Sequence, residues 1–465
     1  MTDLSPGTSK HHLSQVWRLA WPTIMENLLT TSVSFADTAM VGSLGAAATA
    51  AVAINTSPTW MLNNLVMGIS VGSTVLVARH MGAQERGAAQ HVAKKSLMLC
   101  LMFAVVLSLF VVVFGGYIPV WMGGSAEIIP QAGAYMRIVG AAFVPHYLSL
   151  LVGGIMRGAG DTRTPMLVSL LSNMLNVIGN FLLIFPTRII QWGGVSFTMP
   201  GAGMGVAGAA LATAIATATA GVVALTILFM RGRSPAGAFG IPVRGGWKWE
   251  SGVIKRVLKV GIPAALERIL VNLGQIILLS MVARLGTVYL AAHHLAITAE
   301  SLSYMPAYGF AAAATTLVGN AMGARQPETA HKYGNWTFAI GVTVACATGL
   351  LLFLFPSPLL SLFSRDAAVI AAGVMVLRVD AFAQPFFATS IILAGALRGG
   401  GDTRYPLYIS FASMWGVRLV LAAVCVYGFH LGFLGIWIGM VADLCIRGIL
   451  VFLRWRSGRW KSLVV

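Results

Sequence analysis

A few polar side chains set in long apolar stretches carry the chemistry this sequence can do. Asp37 stands inside the first apolar run, and Asn173, Asn176 and Asn180 stand inside the fifth at i, i+3 and i+7. That spacing puts all three amides on one helical face. A carboxylate within a bilayer is costly unless it is paired or hydrated, so it either holds a proton or recruits a cation. Asparagine can donate to an ionised carboxylate or offer its carbonyl oxygen to a cation, which suits H⁺ or Na⁺. Asp37 with these asparagines is therefore a candidate cation-coupling site. The competing reading makes Asp37 a helix brace near the outer interface and the asparagines interhelical glue.

Two further sets are symmetric. Glu26 and Glu267 each follow a proline by four residues, Pro22 and Pro263, and a proline inside a helix removes a hydrogen bond and makes a hinge. Glu26, Thr30 and Asp37 also share one face of the first run, so Glu26, Thr30 and Glu267 are expected to line a cation-attracting cavity. The competing reading has each glutamate satisfying backbone donors that its proline frees. Asp161 and Asp402 lie in two copies of Arg-Gly-x-Gly-Asp-Thr-Arg. There an aspartate can cap the next helix and pair with a flanking arginine, so Asp161 with Arg163 and Asp402 with Arg404 are expected to act as cytoplasmic latches.

Other strings are dismissed. Gly68-Ile-Ser70-Val-Gly72 matches a nucleophile elbow but lies within an apolar helical run, and Gly203-Met-Gly205-Val-Ala-Gly208 has no preceding strand. Cys100, Cys346, Cys425 and Cys445 sit singly, and His293 and His294 lie near a helix end; all are read as packing residues. Glu300, Asp380, Asp443 and Arg418 are read as structural, with Asp443 and Arg447 spaced i,i+4 as an ion pair. No enzyme chemistry, metal cluster or cofactor is expected beyond a possible Na⁺.

The elements that position these residues follow from composition. Of 465 residues 57% are hydrophobic and 10% charged, whereas a soluble domain carries about 25% charged residues. The chain is thus an integral membrane protein, and disorder, coiled coil and a secreted disulfide scaffold are excluded. Apolar runs fall near 15–40, 49–79, 95–114, 132–155, 165–186 and 203–230, then 258–283, 289–320, 336–355, 373–396, 406–428 and 432–453. The expected fold is an all-α polytopic membrane protein with twelve transmembrane helices. Residues 1–230 form a first six-helix lobe, 231–252 a cytoplasmic linker and 253–465 a second lobe. The first run is a retained helix, not a signal peptide, because it lacks a small-residue cleavage site.

Placing alternate connections on alternate sides puts 24 cationic residues on one side and five on the other, which predicts both termini in the cytoplasm. The net charge of +17 then reports topology and contact with anionic lipid rather than nucleic acid.

The two halves repeat with a shift of 241, which carries Pro22 onto Pro263, Glu26 onto Glu267, Met81-Gly82-Ala83 onto Met322-Gly323-Ala324 and Arg157–Pro165 onto Arg398–Pro406. Each half has an even number of helices, so a pseudo-twofold axis along the membrane normal relates them, as in the parallel repeats of secondary transporters. Departures from the repeat mark a site used once. Asp37, Asn173, Asn176 and Asn180 fall opposite Leu278, Met414, Val417 and Leu421.

This combination resembles the multidrug and toxic compound extrusion (MATE) family over nearly the whole chain. The residues that carry the resemblance are Pro22 with Asp37–Gly42, the doubled Arg-Gly-x-Gly-Asp-Thr-Arg, Met322-Gly-Ala324 and Gly208–Thr213. It implies export of small organic cations in exchange for H⁺ or Na⁺, from a plasma (inner) membrane, by a monomer contacting membrane lipids and no nucleic acid. It also implies that Asp37 acts with Asn176, Asn180 and Thr213. Many relatives have Asp where Asn180 stands. The acid that some members carry midway along the tenth helix finds no match in Gln384-Pro-Phe-Phe387. The rivals are a lipid-linked oligosaccharide flippase, which would line its cavity with basic residues, and a non-transporting membrane scaffold.

Overall fold

Long apolar runs broken by Gly, Pro and charge leave the backbone one way to satisfy its polar groups in lipid, which is the helix. The computed structural model describes residues 9–192, 195–232 and 238–463. Its first half contains α1 (Ser9–Gly42), α2 (Ala46–Gly82), α3 (Arg86–Phe114), a short α4 (Ile118–Trp121), α5 (Ile129–Ala141), α6 (Phe143–Gly158), α7 (Arg163–Leu183) and α8 (Gly205–Arg231). The second half contains α9 (Ser251–Arg284), α10 (Thr287–Gly323), α11 (Pro327–Leu354), a short α12 (Pro356–Ser361), α13 (Ala367–Ala381), α14 (Gln384–Gly399), α15 (Arg404–Phe411), α16 (Leu419–Ala423) and α17 (Gly432–Arg456). Two π-helical stretches, Ala412–Arg418 and Val424–Gly428, flank α16.

Among the described residues, eight helical stretches are long and apolar enough to span a bilayer, or ten if each bent pair is one span. The pairs are α5 with α6, bent by 52°, and α13 with α14, bent by 57°. The remaining two long helices, α1 and α10, reach 34 and 37 residues and are more polar. The protein is a multi-pass membrane protein.

The sequence repeat reappears in the backbone. Gly45 and Gly286, 241 residues apart, have φ of 114° and 120° and precede α2 and α10. Only glycine takes that conformation without strain. Gln84 and Arg325, at the same shift, have φ of 61° and 58°.

One element departs from the all-α expectation. Pro186–Trp192 and Val195–Ala202 pair as an antiparallel hairpin between α7 and α8. The stretch is rich in β-branched and aromatic residues, which suit a strand. The second half has only Phe429–Leu431 at that place, too short to form one.

The two halves meet most closely in the parts of α1, α2, α9 and α10 nearer the linker. A Cβ on Gly68 would fall 2.7 Å from Gly261 O, and one on Gly72 would fall 2.2 Å from Val257 O. The G-x-S-x-G string thus serves close helix packing. Gly82 and Gly323 make a reciprocal contact: a Cβ on either would stand 1.9 Å from the carbonyl oxygen of Asn320 or Arg79. Arg79 Nη2 also donates to Gly400 O at 2.6 Å, and Thr316 Oγ1 donates to Arg157 O at 3.0 Å.

Candidate functional site

Helices α1, α7 and α8 bring Asp37, Asn176, Asn180 and Thr213 together. The approach is close because Gly179 faces Ala212, where a Cβ would come within 2.9 Å of the alanine Cβ. Asn180 and Asn176, one turn apart and both buried, then face the half-buried Asp37. Asn180 Nδ2 donates to Asp37 Oδ1. The Asn176 amide suits its surroundings best with its nitrogen towards Asp37. It then donates to the two carboxylate oxygens at 2.7 and 3.2 Å and accepts from Thr213 Oγ1 at 3.1 Å.

Among the described residues no cationic side chain pairs with Asp37. Asn180 Oδ1 is buried beside it without a partner. The site therefore offers oxygens to a proton or a hard cation and no fixed positive charge. Asn173 and Thr30 stand one rung away, with Asn173 Nδ2 at 3.4 Å from Thr30 Oγ1 and Thr30 Oγ1 at 3.4 Å from Ser169 Oγ.

Glu26 and Glu267 do not stand free as cavity anions. Arg157 Nη1 lies 3.2 Å from Glu26, and Arg398 Nη2 lies 2.7 Å from Glu267, which also accepts from Ser410 Oγ at 3.0 Å. In a medium of low dielectric a carboxylate takes the nearest guanidinium, and the doubled motif supplies one at the same separation in each half. Pro22 and Pro263 lie inside unbroken helices.

The latches form with other partners than their neighbours. Asp161 caps α7 through Thr164 N at 3.0 Å and Thr164 Oγ1 at 2.6 Å, and it pairs with Arg231 at the end of α8 at 2.6 Å. Asp402 pairs with Arg454 near the end of α17 at 2.7 Å. Arg163 and Arg404 are exposed and make no ion pair among the described residues. Each is the first residue of the helix its aspartate caps, and the capping carboxylate is turned to the far helix instead. Burial works against charge on Asp161, but the Thr164 hydrogen bonds and Arg231 outweigh it and hold its carboxyl below the usual range.

A second polar cluster in the second half joins Glu300 and Asp380, which the sequence reading took as structural, with Gln384. Asp380 stands four residues before Gln384, at the bend between α13 and α14. It is buried, as are Glu300 on α10 and Gln384 on α14. Gln384 Nε2 donates to Asp380 Oδ2 at 2.6 Å and reaches Glu300 Oε1 at 3.5 Å, while Asp380 Oδ1 has no partner. The available signal was Asp380 and Gln384 at i,i+4 across a break marked by Pro385. Nearby Asp443 is held by Arg418 at 2.6 Å and Arg447 at 2.7 Å, and Ser413 donates to it. His293 packs its ring against Phe433 and Trp437.

The MatE family model matches residues 22–182 and again 263–424, two copies whose starts are separated by the internal shift of 241 residues. The chain is a MATE family transporter. It is 32% identical over 96% of its length to a probable multidrug resistance protein NorM of Thermotoga maritima, covering 93% of that protein. It is 28% identical to the uncharacterized transporter YisQ of Bacillus subtilis, over 96% of this chain and 94% of the other. The fold of this MATE chain matches a crystal structure of MATE in complex with MaL6, with a TM-score of 0.88 and 24% identity over 96% of both chains. It also matches the outward-facing conformation of a multidrug resistance MATE family transporter, with a TM-score of 0.88 and 24% identity over 98% and 97% of the two chains. A MATE chain is a transporter and not an enzyme.

Proposed function

We propose that this protein exports small organic cations and drugs across the plasma membrane in exchange for H⁺ or Na⁺, with Asp37 carrying the coupling ion. The observation that carries this reading is the difference in partners among the acids. Glu26, Glu267 and Asp443 each meet an arginine, whereas Asp37 meets only neutral amides. Its charge must be balanced by something that comes and goes. The multidrug resistance names of the relatives support the same reading.

The architecture that serves it is twelve spans in two six-helix bundles, residues 1–230 and 253–465, joined by a linker at 231–252 and related by a pseudo-twofold axis along the membrane normal. Both termini and the linker lie in the cytoplasm, as the distribution of cationic residues supports. The glycine contacts then close the cytoplasmic side, and one bundle rocks on the other. Ion arrival at Asp37 changes how α1 and α7 hold each other, with Pro22 and Pro263 as hinges, and the drug leaves. Asn176, Asn180 and Thr213 orient the carboxylate, and Asn173 and Thr30 extend the polar face. Asp161 with Arg231 and Asp402 with Arg454 hold the cytoplasmic ends together. The protein works as a monomer. A flippase for pyrophosphate-linked sugars needs basic groups where this site has an acid and amides, which disfavours that rival.

A specific observation favours a second reading of the stoichiometry. Glu300 and Asp380 share one amide, and among the described residues neither makes an ion pair. Two buried carboxylates so placed hold a proton or cation between them, which would make two ions per cycle. One H⁺ for one monovalent drug moves no net charge, so a pH unit supplies about 1.4 kcal/mol, a tenfold drug gradient. A second ion adds that again plus about 2.3 kcal/mol per 100 mV. Ethidium efflux from proteoliposomes under a pH gradient and then a Na⁺ gradient tests the main reading. Efflux driven by one gradient and lost in Asp37→Asn is expected; efflux under neither gradient overturns it and favours the flippase. Acceleration by membrane potential decides for the second ion.

A further inference from the structure

We propose that the strap joining the two halves, together with the first turns of α9, is a binding surface for anionic phospholipid headgroups. Residues 238–250 lead into α9 without helix, and α3 holds them from beneath. Arg86 Nη2 donates to Ala238 O at 2.9 Å, Gln90 Nε2 to Gly240 O at 2.7 Å, Lys94 Nζ to Gly245 O at 2.7 Å and Lys95 Nζ to Gly246 O at 3.0 Å. Lys95 also donates to Lys248 O and is 2% exposed. The strap's carbonyls are thus engaged by α3, Phe239 and Ile241 anchor its start in the core, and the side chains from Val243 to Glu250 are left to the outside.

Those side chains form one chemical type. Arg244, Lys248, Lys255, Arg256 and Lys259 are exposed, and none of them makes an ion pair among the described residues. The one acid of the segment, Glu250, is engaged by His91 at 2.5 Å and Lys95 at 3.8 Å. Two tryptophans lie among these cations. Trp247 is fixed by its Nε1 hydrogen bond to Val243 O at 2.6 Å and rests against Phe229 near the end of α8, with ring centres 6.2 Å apart. Trp249 is 53% exposed. Tryptophan with unpaired lysine and arginine at the level where spans end is the composition that settles in a headgroup layer, the indole among glycerol and carbonyl groups and the cations on phosphate. The strap is also the covalent joint between the halves, so a lipid held there sits where relative motion must pass. The surface does not depend on which ion Asp37 carries.

The test uses the full chain in liposomes containing a small fraction of either brominated phosphatidylglycerol or brominated phosphatidylcholine. The fluorescence of Trp249 is the difference between the wild type and Trp249→Phe. Quenching by the anionic lipid is expected to be roughly fivefold stronger or more at equal mole fraction, and the preference is expected to vanish in Lys248→Gln/Lys255→Gln/Arg256→Gln/Lys259→Gln. Should that variant fail to fold, raising salt to about 1 M on the wild type is expected to remove the preference, since screening then acts within about 3 Å. Equal quenching by both lipids, or no quenching at Trp249, overturns the proposal and leaves these charges as topology determinants only.

Discussion

Arg398, which opens the second copy of the doubled motif, closes on Glu267 at 2.7 Å across 131 residues of chain. Its repeat partner Arg157 does the same to Glu26 at 3.2 Å. The two pairs tie the proline-bearing helices α1 and α9 to α6 and α14. They also remove both glutamates from the set of acids free to exchange an ion, which leaves Asp37 in the first half and Glu300 with Asp380 in the second.

Replacing Glu267 by leucine strands a part-buried guanidinium. Breaking a fully buried pair from one side costs about 3 kcal/mol or more, and this part-buried pair costs less, so Glu267→Leu is expected to lower the melting temperature in detergent by a few degrees. Glu267→Leu/Arg398→Met is expected to recover most of the loss. A double variant as unstable as the single one contradicts a simple ion pair.

The latch at Asp161 sets a pH dependence. Its carboxyl is held below the ordinary range by Thr164 and Arg231, which outweigh burial. Between that depressed value and the ordinary one near ~3.9, the unfolded chain binds the proton and the folded chain does not, so acid favours unfolding. The contribution is whole above the ordinary value and lost as pH falls through the folded one. Melts from neutral pH downward are expected to show wild type losing stability more steeply than Asp161→Asn in the acid range. Parallel curves contradict this.

Gly82 touches the backbone of Asn320 so closely that no larger residue fits. Gly82→Leu is expected to stop drug efflux at normal expression and to open the linker side. A cysteine placed at Ala78, fully buried in this structure, is then expected to react with a polar thiol reagent only in the Gly82→Leu background. Reaction in both backgrounds contradicts a seal at this point.

Much of the site was legible in the sequence because one rule governs it. Apolar runs fix the helices, the 241-residue shift fixes their equivalence, and Asn176 and Asn180 break it on one face. What was not legible depends on distance through space. Nothing in the sequence near Asp161 or Asp402 points to Arg231 or Arg454, because those partners arrive from helices that pack later in the chain. Glu26 and Glu267 looked like free anions for the same reason. Asp380 and Glu300 were read as separate structural residues because their meeting at Gln384 depends on the 57° bend between α13 and α14. The hairpin was missed because its β-branched run is short and lies between two strong helical signals.

The central claim is that drug and coupling ion compete through Asp37. It is tested most directly by equilibrium binding of ethidium to purified protein titrated with the coupling ion. The wild type is expected to lose ethidium affinity as the ion concentration rises, and Asp37→Asn is expected to bind ethidium with an affinity indifferent to the ion. Competition of wild-type strength in Asp37→Asn would place the ion elsewhere and contradict the account.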